Sequence, residues 1–141
     1  MLEEKINIAI QLFQKNEYSE AREFLNSIIT EYENDPRPYN ILAIIEEKDG
    51  NSDEAIKILK KVNNQFPNDE KSFFNLAKIY FNQDNKKEAI KKLDQALKLN
   101  NNFIQPYILL GEISFTEKDY NNAILNLQKA LKIDPNYLGA N

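Results

Sequence analysis

The chain contains no cysteine, no histidine and no tryptophan, and only three glycines and five prolines. Without cysteine or histidine there is no thiol nucleophile, no imidazole base for a Ser-His-Asp triad, no Cys/His zinc site, no haem attachment and no disulfide. Glycine and proline this sparse give too little turn punctuation for an all-β fold. Long apolar runs are missing as well. Residues 1–14 carry Glu3, Glu4 and Lys5 and then alternate polar and apolar side chains. A secretory signal needs an unbroken apolar stretch of about 7–15 residues, and none is present. No window approaches the roughly 20 apolar residues of a membrane span, so no membrane insertion is expected. The zero cysteine count fits a reducing compartment, and the expected location is cytoplasmic. Positive charge is not in excess, with 18 Lys and Arg against 22 Asp and Glu. The resulting net charge of −4 argues against a nucleic-acid partner.

What remains is a chain of 141 residues, 42% hydrophobic and 28% charged, the balance of a soluble globular domain. That length suits one domain and buries roughly two thirds of the unfolded surface without help from a metal or disulfide. Its dominant feature is self-similarity. Ala21, Ala55, Ala89 and Ala123 are spaced by 34 residues, as are Ala9, Ala43, Ala77 and Gly111 twelve positions earlier. Ile8, Leu42, Leu76 and Leu110 follow the same spacing, and so do Leu25, Leu59, Leu93 and Leu127. The repeats are therefore 2–35, 36–69, 70–103 and 104–137, which leaves Met1 and a short tail, 138–141, outside.

Each unit holds two apolar stripes of helical period. In the third, Phe73, Leu76, Ala77 and Tyr80 form one, and Ala89, Ile90, Leu93, Ala96 and Leu97 form the other. Between the stripes Asn16, Gly50, Asp84 and Lys118 share a register position, and three of the four are residues that tolerate turn conformations. Asp35-Pro36 reads as an N-cap followed by proline in the first helical turn, and Asp134-Pro135 repeats that signal near the end. The expectation is all-α, with about eight helices of roughly a dozen residues. Small residues mark where paired antiparallel helices approach closely, and Leu and aromatic side chains fill the space beside them. One such pair cannot bury its own stripe, so successive pairs stack as a solenoid with an inner and an outer helical layer.

This pattern resembles the tetratricopeptide repeat (TPR). Its aromatic–Leu–small–aromatic–Ala–Leu–Ala–Pro order reads in the fourth unit as Tyr107, Leu110, Gly111, Ser114, Ala123, Leu127, Ala130 and Pro135. The third gives Phe73, Leu76, Ala77, Tyr80, Ala89, Leu93 and Ala96, and the second gives Tyr39, Leu42, Ala43, Glu46, Ala55, Leu59, Val62 and Pro67. The first diverges most, with Lys5 at the leading aromatic position and Ile28 at the late alanine, and Asn101 replaces the usual proline of the third. Glu46 and Ser114 stand where Leu12 and Tyr80 are apolar. They read as partly buried positions, with the alternative that Glu46 turns to a ligand or pairs with a neighbouring cation.

The resemblance implies a right-handed α-solenoid of antiparallel helix pairs that binds other proteins without a cofactor or metal. The groove lined by the first helix of each repeat would hold a peptide or helix of the partner. Carried over by register, its lining is Asn40, Ile44, Phe74, Asn75, Lys78, Phe81, Asn82, Ile108, Glu112 and Phe115. Asparagine amides offer both a donor and an acceptor to a peptide backbone, and phenylalanine rings supply apolar anchoring pockets. Phe13 shares the register of Phe81 and Phe115, and the competing reading is that these rings pack between first helices. One subclass clamps the C-terminal carboxylate of chaperones with Lys, Asn and Arg at set groove positions. Those slots hold Ile6, Ile10, Ile41, Lys71 and Asn75 counted from the first repeat, and Asn40, Ile44, Asn75, Gln105 and Leu109 from the second. With Lys71 the single cation in either set, neither supplies the cations the clamp requires, which excludes that subclass here.

By repeat the net charges are −5, −1, +3 and −1. Five lysines of the third unit, Lys86, Lys87, Lys91, Lys92 and Lys98, fall on its second helix or the approach to it, on the outer face. They read as a solvated surface, with an acidic partner or a contact between copies as the alternatives. The last helix carries Ile124, Leu125, Leu127, Ala130, Leu131 and Ile133, followed by Tyr137 and Leu138. Part of that apolar surface is expected to be exposed unless another chain covers it, so a homo-oligomer stacked through its ends and a docking domain of a longer protein stand beside the adaptor reading. Catalysis is not expected. It needs carboxylates converging in an apolar cleft, whereas most Glu and Asp here fall at turns and outer-face positions.

Overall fold

Each repeat folds as two helices and a tight turn. The structure, a computed structural model, describes residues 1–137, and the expected tail 138–141 lies outside the described residues. In chain order the helices are α1 (Leu2–Gln14), α2 (Tyr18–Glu31), α3 (Pro36–Lys48), α4 (Ser52–Gln65), α5 (Glu70–Asn82), α6 (Lys86–Leu99), α7 (Ile104–Thr116) and α8 (Tyr120–Ile133). Odd-numbered helices are the first, and even-numbered ones the second, of each repeat. Among the described residues there is no strand.

The turns repeat as faithfully as the helices. Asn16, Gly50, Asp84 and Lys118 all take positive φ, at 60°, 87°, 60° and 62°. The left-handed residue lets the next amide reach back five positions: Glu17 N–H donates to Leu12 O, Asn51 to Glu46 O, Asn85 to Tyr80 O and Asp119 to Ser114 O, at 2.7–2.9 Å. The left-handed residue itself donates to the carbonyl three positions back in all four repeats. This double closure satisfies the last carbonyls of each first helix and reverses the chain within three residues.

By packing, the described residues fall into two compact units, Met1–Asn75 and a second that begins at Leu76. In the first, α3 packs on both α1 and α2, and α3 pairs with α4. Its core gathers Ala9, Ala21, Leu25, Ile28, Leu42 and Ile45. In the second, α7 pairs with α8 and packs on α6. The register's small residues are buried in both units: Ala9, Ala21, Ala43 and Ala55 in the first, Ala77, Ala89 and Ala123 in the second. Gly111 stands where the other repeats have alanine. A Cβ there would meet the Leu127 side chain at 3.2 Å, so α7 and α8 approach more closely than an alanine accommodates without adjustment.

Polar positions close the remaining gaps. The Asp35 carboxylate caps α3 by accepting from Arg37 N–H, and the Arg37 guanidinium beside it holds that carboxyl below the usual range. Asp134 is different. It follows α8, its carboxylate accepts from Asn136 N–H at 3.1 Å, and no helix begins at Pro135 within the described residues. Lys5, at the aromatic position of the first repeat, lays its ammonium 5.5 Å from the Tyr32 ring centroid and bonds Glu31 at 2.5 Å. Its long stem covers apolar surface while the charge stays paired. Glu46 corrects the partly buried expectation, since it is only 7% exposed. Its carboxylate accepts from Arg22 Nε and, at 3.4 Å, from Asn51 Nδ2. Ser114, at the same register, is half-buried.

Candidate functional site

The positions assigned to the groove by register separate into two groups. In the first unit Asn40 and Asn75 join a polar network. Asn40 is 7% exposed, and its amide nitrogen donates to Asp69 Oδ2 at 2.8 Å and to Pro36 O at 3.2 Å. Its carbonyl oxygen accepts from Asn75 Nδ2 at 3.2 Å. A buried amide must find such partners, and Asn40 finds them on α3 itself, on α5 and in the α4–α5 turn. That use fixes the start of α5 against α3. Asn75, Ile44 and Phe74 are half-buried around it. Asp69 was not visible as a partner in the sequence. It occupies the register of the capping Asp35, which is the signal that a carboxylate would stand before a first helix there.

In the second unit the assigned positions lie nearer the solvent. Lys78, Asn82, Glu112 and Phe115 are exposed, and Phe81 and Ile108 are half-buried. Their neighbours on the same helices face inward: Leu76, Ala77, Ile79 and Tyr80 on α5, Leu109 and Ile113 on α7. Phe115 is 64% exposed, a large apolar ring in water. It is held edge-on by Tyr120, with ring centroids 5.6 Å apart and planes at 64°. Phe13 and Tyr18 pair at the same register positions in the first repeat, 5.9 Å apart and tilted by 33°. The aromatic at the first position of the second helix thus orients the ring that ends the first helix. Tyr18 and Tyr120 sit 102 residues apart in the same register, a signal present in the sequence alone.

Arg22 is the other residue that register reasoning overlooked. Besides Glu46 it bonds Asp49 Oδ2 at 2.7 Å, so one half-buried guanidinium joins α2 to the end of α3. Its register partners Ile56, Ile90 and Ile124 are apolar. A cation in an apolar column, one repeat before a carboxylate in another, was the available clue. Chemically the surface offers amides, one ammonium, one carboxylate and aromatic rings. Groups of these kinds can form hydrogen bonds and apolar contacts with another molecule. Among the described residues no three His, Cys, Asp or Glu side chains are placed to hold a metal ion, and no helix is long and apolar enough to cross a membrane.

Comparison with known proteins places these features. The family model described as "Anaphase-promoting complex, cyclosome, subunit 3" matches residues 48–130. A crystal structure of MamA protein is 22% identical, with a TM-score of 0.76 over 99% of this chain and 76% of that one. A thermophilic TPR protein of Thermus thermophilus, TTC0263, is 18% identical, with a TM-score of 0.80 over 96% of this chain and 75% of that one. A chain of the APC/C hetero-tetramer Cut9-Hcn1 is 21% identical, with a TM-score of 0.82 over 99% of this chain and 28% of that one. The fold is the all-α helical solenoid of the tetratricopeptide type. No curated protein sequence matches the chain.

Proposed function

The chain belongs to the family described as anaphase-promoting complex, cyclosome, subunit 3, and on that premise we propose that it is a non-enzymatic adaptor that binds a peptide or helix of a partner protein through the first-helix face of its repeats. The observation that carries this reading is the exposure of Lys78, Asn82, Glu112 and Phe115 on helices whose other faces are buried. A ring as large as Phe115 gains most when a partner's apolar side chain covers it, and the flanking ammonium, amide and carboxylate select what lies beside that anchor. Asn40 serves in a different way. Its amide is spent inside the protein, so it acts as a positioning residue for Asn75, while Ile44 and Phe74 add apolar surface. Assembly with other chains also supports the reading by analogy, since the Cut9-Hcn1 neighbour is a hetero-tetramer and another neighbour is the Naa15/Naa10 complex bound to HypK-THB.

A displayed library of random peptides, selected on the intact chain, tests this. The recovered peptides are expected to lose about tenfold or more in affinity on Phe81→Ala or Phe115→Ala, with the thermal melt of the Phe115→Ala variant close to that of the unmodified chain. Recovery of no peptide, or of peptides indifferent to both substitutions, contradicts the reading.

A further inference from the structure

Near the ends of the second helices, two register positions three residues apart differ from repeat to repeat. They hold Ser27 and Thr30 in α2, Lys61 and Asn64 in α4, Gln95 and Lys98 in α6, and Lys129 and Lys132 in α8. Only α8 has an ammonium group at both, and it carries no acidic residue. Side chains three apart on a helix are neighbours, so the two charges serve one patch of surface. Both lysines are exposed, and among the described residues neither lies within ion-pair distance of a carboxylate.

That patch is concave. Lys129 and Lys132 border a space of about 520 Å³ whose other walls are Asn101, Asn102, Tyr107 and Ile133. Lys129 Nζ lies 5.9 Å from the Tyr107 ring centroid, and Tyr107 OH donates to Asn101 O at 3.1 Å, which holds the ring against the α6–α7 turn. The α4–α5 turn borders a concavity too, of about 420 Å³, but its chemistry is different. Its walls, Pro36, Gln65, Phe66, Pro67, Asn68 and Asp69, include no cation, and the Asp69 carboxylate is spent on Asn40. At α8 an entering carboxylate meets two ammonium groups and two side-chain amides. Tyr107 and Ile133, both half-buried, give an apolar side chain beside that carboxylate something to cover. A bare anion would use the lysines and leave those two residues in water.

We propose that this concavity is a binding site for an acidic peptide segment, which sets an aspartate or glutamate carboxylate against Lys129 and Lys132 and an adjacent apolar side chain against Tyr107 and Ile133. The site shares no residue with the first-helix face assigned above and is tested separately. The probe is a fluorescently labelled peptide of alternating leucine and glutamate with an amidated end, and its control has glutamine in place of every glutamate. Saturable binding of the probe to the intact chain is expected, with the control at least about fivefold weaker. The double variant Lys129→Gln/Lys132→Gln and raised salt should each weaken the probe by about fivefold or more. Lys129→Arg/Lys132→Arg should retain it, and Phe115→Ala should leave it unchanged. Both lysines are exposed, so circular dichroism melts of these variants should match that of the unmodified chain. Four results overturn the proposal: no saturable binding; equal binding of the glutamine control; binding indifferent to the Lys→Gln pair; and displacement of the probe by inorganic phosphate at matched ionic strength, which would make the site one for any small anion.

Discussion

Lys118 carries a Cβ and a long side chain at φ 62°, the position where the second repeat has Gly50 at 87°. A left-handed conformation costs an L-residue about 1–2 kcal/mol, and glycine recovers part of that while adding freedom to the unfolded chain. Lys118→Gly is therefore expected to raise stability by about 0.5–1 kcal/mol. Urea denaturation measures it, and a loss of stability would mean that the turn depends on the lysine side chain. Asn16 and Asp84 tolerate the same conformation through short polar side chains. All four turn positions were legible in the sequence because they recur at 34 residues, although a lysine read alone carries no turn signal. At Glu46 the partly buried expectation failed and the alternative, pairing with a neighbouring cation, is what Arg22 supplies. The burial of Glu46 is set by contact with another repeat, which a residue's own register position does not express.

At the scale of elements, the Arg22–Glu46 pair joins α2 to α3 across a sequence separation of 24 residues. Removing the cation leaves the buried carboxylate with only the long Asn51 amide contact, whereas replacing both partners with apolar side chains gives the kind of residue found at position 22's register partners and at Leu12. Arg22→Ala is expected to destabilise by about 2–4 kcal/mol. The double variant Arg22→Ile/Glu46→Leu should recover most of that, and a double-mutant cycle separates the coupling from the single losses. Strictly additive losses would show that the pair does not act as a unit. The eight helices themselves were legible because each has an apolar stripe of helical period and a recurrent turn. Asp134-Pro135 misled as a helix-start signal, since the same side chain that caps a helix also closes the turn after one.

Across the whole molecule one 34-residue register sorts side chains into those that close helix crossings and those left at the surface. The crossings were legible because only small residues fit them. The candidate site was legible only as positions on the first helices. Which of its amides would be spent internally was not, since Asn40's partners Asp69 and Asn75 come from other parts of the chain. Peptide selection addresses what the surface positions bind, and the sorting itself is open to a direct measurement: parallel denaturation of Ala89→Leu and Phe115→Ala. Ala89 is fully buried on α6, and overpacking it is expected to cost about 1–3 kcal/mol. Phe115 stands mostly in water, and its truncation is expected to change stability by no more than about 0.5 kcal/mol. An Ala89→Leu chain as stable as the unmodified one, or a Phe115→Ala chain that loses as much as Ala89→Leu, would contradict this division.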